Sequence, residues 1–177
     1  MGPSAAVTPL VDEALKKSGL IWLREVGSQQ MRAYWHAWVD GKVYLLTGTG
    51  EQPDPKMLEM THVDVLVRSK DTGHRLVVFR AVVSLLLATD SDWPAASAEL
   101  AKGRLNLSDA EHAPARWSAD PGTNCYRLTP TGEVLEGPDG SYPSDSLRAA
   151  PVESPATTKG RLPWVLHRRD TRRRPLS

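Results

Sequence analysis

Residues 31 to 47 constrain the fold more than any other stretch. Met31 to Val39 and Lys42 to Thr47 are rich in aromatic and branched side chains, and Asp40-Gly41 stands between them. Asp-Gly between two β-prone runs predicts a two-residue type I′ hairpin, because that turn needs positive φ at both central positions. With Asp40 and Gly41 as the loop, one face carries Ala37/Tyr44, Trp35/Leu46 and Ala33/Gly48. The other carries Trp38/Val43, His36/Leu45, Tyr34/Thr47 and Arg32/Thr49. Aromatic residues stand on both faces, whereas a half-solvated sheet shows one polar face. Both faces are therefore expected to be covered, one by the core and the other by a ligand, a helix or a second copy of the chain.

The flanking sequence supplies the other elements. Thr8 as N-cap, Pro9 in the first turn, early acidic residues and late Lys16-Lys17 predict a helix that Ser18-Gly19 ends. Leu10, Val11, Ala14 and Leu15 give it one apolar stripe. Leu20 to Val26 reads as a strand, and Gly27 to Gln30 as a turn. Gly48 to Met60 is polar and broken by Pro53 and Pro55. Asp64 to Arg68 and the long run Arg75 to Ala88 read as strands, the second expected to bend or carry a bulge. Ser91 or Asp92 is placed to cap a helix from Trp93 to Lys102, ended by Gly103, and a short helix is expected from Ser108 to Trp117. Asn124 to Leu128 forms the last strand, extended by Val134-Leu135.

The chain has 177 residues, about one ordinary domain, large enough to hold a core without staples. It has one cysteine, Cys125, so no intrachain disulfide forms. No basic and apolar leader opens the sequence. The most apolar run, Leu76 to Ala88, contains Arg80 and is shorter than the roughly 20 residues of a membrane span. These features predict a soluble, cytoplasmic protein with no membrane contact. Formal net charge is +1, but six arginines against one aspartate from Arg161 onward give that tail +5 and leave −4 for the rest. The remainder is thus no general nucleic-acid binder; such contact is expected only through residues 161–177. Residues 137–177 read as a Pro/Ser-rich arm and basic tail, with a short apolar patch at Leu162 to Leu166.

Gly48-Thr49-Gly50 is a glycine cluster at a strand end, which reads either as a flexible strand exit or as a loop whose backbone N–H groups approach a phosphate. Glu51-Gln52-Pro53-Asp54-Pro55 follows, so neither a Rossmann turn nor a P-loop is present. The five histidines make no metal-ligand spacing, no metal site is assigned, and Cys125 reads as a small apolar strand residue. Arg32, Lys56, Arg68 and Lys70 are basic residues near strand ends, which read singly as solvated surface. Together with Thr47 and Thr49 they form one candidate anion site, since Arg32 opposes Thr49 in the hairpin register.

The order of elements then carries a resemblance. AYWHAWVDGKVYLLTGTGEQ resembles the second and third strands of the pyridoxamine-phosphate-oxidase-like proteins, the FMN-binding split-barrel family. DVLVRSKDTGHRLVVFRAVVSLL resembles its fourth and fifth strands, and WPAASAELAKGRLN its helical insert. The resemblance spans residues 8–136 and implies a mainly β fold: a six-stranded Greek-key split barrel with peripheral helices, forming a homodimer. It implies FMN, a deazaflavin or haem at the dimer interface, and a flavin- or deazaflavin-dependent oxidoreductase acting on a small molecule. The flavin phosphate would meet Arg32, Thr47, Thr49 and Lys56. The full candidate cofactor-binding set is Arg32, Thr47, Gly48, Thr49, Gly50, Gln52, Lys56, Arg68 and Lys70, with no side chain assigned a catalytic role. The family more often carries Ser/Thr-x-Lys leading into a helix where this chain has its acidic, proline-broken loop. The alternative reading is a non-redox binding or regulatory protein that keeps the barrel dimer without the flavin.

Overall fold

The computed structural model describes residues 7–24, 29–104 and 106–137. The arm and tail expected beyond Gly137 lie outside the described residues, as do 25–28, where the end of the first expected strand and the start of the turn Gly27 to Gln30 fall. Among the described residues three α-helices are present, α1 (Pro9–Lys17), α2 (Trp93–Gly103) and α3 (Ala113–Ala119). The strands are β1 (Leu20–Arg24), β2 (Met31–Trp35), β3 (Ala37–Val39), β4 (Lys42–Gly48), β5 (His62–Arg68), β6 (Arg75–Leu85) and β7 (Thr123–Glu136). They form one antiparallel sheet in the order β2-β1-β5-β6-β7-β4-β3.

The two edges of that sheet, β2 and β3, follow each other directly in the chain, parted at His36. The sheet therefore curls on itself and leaves a split where β2 turns away from β4. The hairpin register holds for Val39/Lys42, Trp38/Val43 and Ala37/Tyr44, and Asp40 and Gly41 both have positive φ, +48° and +74°. Beyond His36 the register expected from the sequence fails. Arg32 pairs with Leu23, Tyr34 with Ile21 and Trp35 with Leu20, all on β1. Six expected strands thus become seven, because the second is cut in two.

The split is closed by a side chain. Gln52 lies 6% exposed and its Oε1 accepts from the Trp35 N–H at 2.6 Å. Its Nε2 donates to the Trp35 carbonyl at 3.0 Å and the Leu46 carbonyl at 3.2 Å. One amide so stands in for the missing ladder between β2 and β4.

The barrel interior is filled by Ile21, Leu23, Tyr34, Leu45, Val65, Phe79 and Tyr126, among others. Val11, Ala14 and Leu15 of α1 complete this core. The cap of α1 is as expected, with the Val11 N–H donating to Thr8 Oγ1. Trp38 Nε1 donates to Asp12 Oδ1 at 3.0 Å, which ties α1 to β3. The other face of the hairpin, with Ala37, Tyr44 and Leu46, packs with Cys125 against Ala96 and Leu100 of α2 and Trp117 of α3. Of the three covers the hairpin pattern allowed, helices supply this one.

Four local expectations need correction. Asp92 precedes α2 but makes no capping bond. Its Oδ2 instead accepts from Lys42 Nζ at 2.7 Å, Tyr44 OH at 3.0 Å and Arg127 Nη1 at 3.2 Å, and these donors, Lys42 first, hold its carboxyl below the usual range. Gly103 is the last residue of α2 and Arg104 its C-cap. The second short helix begins at Ala113, because Pro114 fits only a first helical turn. The last strand runs unbroken to Glu136, the register with β6 shifting between Phe79 and Ala81 near Pro130. No helix among the described residues is long and apolar enough to cross a membrane.

His36 marks the break between β2 and β3, with its Nδ1 enclosed and without a partner among the described residues. Burial lowers its pKa from the ordinary 6.5 to about 4, against an opposing hydrogen bond to the Leu15 backbone. The folded pKa lies below the unfolded one, so between these values the unfolded chain binds more protons. Stability is full above the unfolded pKa and falls as pH drops towards 4. We expect unfolding free energy at about pH 5 to be about 2 kcal/mol lower than near pH 7.5. Urea unfolding of His36→Gln should lack that slope; a slope equal to wild type would assign it to other groups.

Candidate functional site

The candidate anion site lies where β4 leaves the sheet. Gly48 there has φ +113°, and a Cβ would stand 1.9 Å from the Gly122 carbonyl oxygen, so only glycine fits. Three backbone donors of the loop are already engaged. Gly48 N–H donates to the Gln52 carbonyl at 2.9 Å, Thr49 N–H to the Gly122 carbonyl at 3.1 Å, and Glu51 N–H to the Gly48 carbonyl at 3.0 Å. A phosphate cradle needs such N–H groups turned outward.

Charge at this exit is also countered from within, while Glu51 Oε2 is buried with no hydrogen-bond partner among the described residues. Glu51 is 5% exposed, and its Oε1 accepts from Arg104 Nη1 and, at 3.0 Å, from Trp117 Nε1. Arg104 also donates to the Gly50 carbonyl at 3.2 Å and to Asn106 Oδ1 at 3.2 Å. Glu51 therefore fills a place beside a guanidinium and an indole N–H that an anionic ligand could otherwise take.

The proline-broken segment then turns into the barrel end. Asp54 Oδ2 accepts from Tyr126 OH at 2.7 Å and Asn124 Nδ2 at 3.0 Å, and its Oδ1 from the Lys56 N–H at 2.7 Å. Burial, with Asp54 beside it, raises the Tyr126 phenol above its ordinary range. Lys56 takes a left-handed conformation, φ +59°, which delivers Met57 fully buried into the barrel core. The segment is a plug fastened to β7.

The candidate residues are thereby distributed over different surroundings. Thr47 is fully buried, with Oγ1 3.5 Å from the Asn124 carbonyl. Gly48 is packed on Gly122, and Gln52 closes the split. Thr49, Gly50 and Lys56 are exposed. Arg32 does not oppose Thr49: its register places it two residues from Tyr34, on the barrel-facing side of β2. Arg68 lies over the Trp22 ring, 5.2 Å from its centroid, and donates to the Gly73 carbonyl. Trp22 alternates with the core residues Ile21 and Leu23, so Arg32 and Arg68 stand on opposite faces of the sheet. Lys70 is exposed in the β5–β6 turn.

Arg104 and Trp117 shape this exit and are absent from the candidate set. They lie 53 and 66 residues from Glu51, and no local motif joins them. Cys125 is buried, and burial pushes its thiol up to about 12, in keeping with an inert strand residue. Among the described residues no three His, Cys, Asp or Glu side chains gather as a metal site.

Comparison with known proteins supports the architecture. No family model and no curated protein sequence matches this chain. Among solved structures, HutZ, the heme storage protein from Vibrio cholerae, is similar with a TM-score of 0.53 at 15% identity, over 72% of this chain and 92% of that one. A Listeria innocua protein described as a pyridoxamine 5′-phosphate oxidase is similar at TM-score 0.48 and 15% identity, over 71% and 94% of the two chains. An F420 reductase is similar at 0.48 and 18%, over 68% and 92%. The chain has a mainly β split-barrel fold, as the resemblance in its sequence implies, with the second strand divided.

Proposed function

We propose, with the split-barrel fold as the premise, that this protein binds a planar conjugated cofactor of the flavin or haem class through its ring system, without a phosphate anchored at the exit of β4. The engaged N–H groups of Gly48, Thr49 and Glu51 carry this reading. The residues present there do not fit a flavin phosphate: three of the loop N–H donors are engaged, Glu51 brings a buried carboxylate, and Arg32 lies across the sheet from Arg68. No catalytic step is assigned. Haem is supported by the fold shared with the Vibrio cholerae heme storage protein, and a flavin ring by the sequence resemblance.

A homodimer belongs to this reading. The two-faced hairpin no longer argues for it, since α2 and α3 cover the outer side. Val82, Val134 and Leu135, all exposed on β6 and β7, are the apolar side chains that support a pairing of copies.

The test is a titration of purified protein with haemin, FMN and riboflavin, read by visible absorbance and flavin fluorescence, with light scattering on the same samples. FMN and riboflavin should bind within about threefold of each other, and Arg32→Ala should change neither preference, since a charge-assisted bond to phosphate would give tenfold or more. A strong FMN preference abolished by Arg32→Ala would restore the phosphate-anchored oxidoreductase reading. Failure of all three to bind would leave the non-redox protein without a cofactor. A mass near 19.4 kDa, rather than about twice that, would remove the dimer.

A further inference from the structure

A cleft of about 200 Å³ opens between the outer face of β4 and β7, the connection from β6 to α2, and the end of α3. Its floor is Leu46, Leu86 and Cys125, all buried in the second core. Trp117 forms one wall. Its indole N–H is committed to Glu51, which leaves ring carbons to face the cleft. Trp93 adds a second aromatic wall, and Leu87, 53% exposed, stands at the mouth.

At the lip is Asp120. Its oxygens accept from the Gly122 N–H at 2.9 Å and the Thr123 hydroxyl at 2.8 Å. Both donors are neutral, so they fix the carboxylate without cancelling its charge. The Gly122 bond first, then Thr123, holds this carboxyl below the usual range. Among the described residues no Lys, Arg or His lines the cleft. The field at the mouth is therefore negative and the interior apolar and aromatic.

We propose that this cleft binds a small organic amine, with a compact apolar body between Trp93 and the floor and its ammonium group at the lip beside Asp120. The volume falls below the roughly 300–1,000 Å³ of drug-sized sites, which limits the ligand to about ten non-hydrogen atoms. Carboxylate and tryptophan together favour a cation: one by direct charge, the other by the negative face of the indole. The same lip repels carboxylates and phosphates. This site is separate from the cofactor reading and does not depend on it.

Phenethylamine and phenylacetate share a phenyl body and carry opposite charge, so they make a matched pair of probes. Each is titrated into the full chain and followed by backbone amide shifts. Phenethylamine should bind with a millimolar-range Kd, as suits about nine heavy atoms. It should shift the amides of Thr123 and Cys125, at least tenfold more tightly than phenylacetate. Asp120→Asn keeps an oxygen for the Gly122 N–H and should weaken the amine about fivefold or more, leaving the neutral benzyl alcohol unchanged. Leu87→Arg, at an exposed position, should weaken the amine as well. Equal binding of the two probes, no shift at about 10 mM, or an unchanged amine affinity in both variants would overturn the proposal.

Discussion

Replacing Arg104 by alanine is expected to lower the stability of this protein by about 3–5 kcal/mol, because it leaves a buried carboxylate without its cation. Arg104 and Glu51 side chains are 9% and 5% exposed, and the guanidinium reaches both the Glu51 carboxylate and the Gly50 carbonyl. Removing it strips charge compensation from Glu51 and one donor from the loop. The double variant Glu51→Gln/Arg104→Met tests the cause. It removes both charges, keeps an oxygen for Trp117 Nε1 and retains an unbranched apolar stem. It should recover most of the loss, since a buried pair contributes little net stability while a widowed partner costs a great deal. Chemical unfolding of the wild type, both singles and the double gives the cycle. A loss under about 1 kcal/mol for Arg104→Ala would mean that water reaches Glu51 and that the pair does not lock the β4 exit.

Gln52→Ala is expected to cost about 3 kcal/mol. Three backbone groups lose their partner at once, the Trp35 N–H and the Trp35 and Leu46 carbonyls, and each buried orphan costs about 1 kcal/mol or more. For a domain of this size the midpoint of thermal unfolding should fall by about 6–12 °C. Amide exchange of Trp35 should rise in step, because no neighbouring strand can replace the side chain there. Gln52→Glu keeps an acceptor but loses both donors, so it should not rescue. Unchanged exchange at Trp35 would show that the split is held by packing alone.

These two side chains also set the surroundings of the loop after β4. Gly48, Thr49 and Gly50 have the composition of an anion loop, and Glu51 and Gln52 look like solvated polar residues that follow it. In the fold both are buried, one paired with Arg104 and the other set between strands. Composition indicates that backbone can approach something closely. Here Gly48 approaches the Gly122 backbone.

What the sequence by itself determined is local. The Asp40-Gly41 turn, the Thr8 cap, the start of β6 at Arg75 (its expected run to Ala88 ends instead at Leu85) and the two apolar faces of the hairpin are governed by φ preference, capping and side-chain alternation, which act within a few residues. Those features stand in the structure where the sequence placed them. The tertiary structure alone decided the break at His36, the helical cover over Tyr44 and Leu46, the Glu51–Arg104–Trp117 contact and the plug at Asp54. Each depends on the sheet curling until β2 and β3 meet, which brings together residues some fifty to seventy positions apart. Barrel closure is a property of the whole sheet, its twist and its stagger, and it breaks the hairpin register at Trp35 although the residues beyond it continue the same alternation.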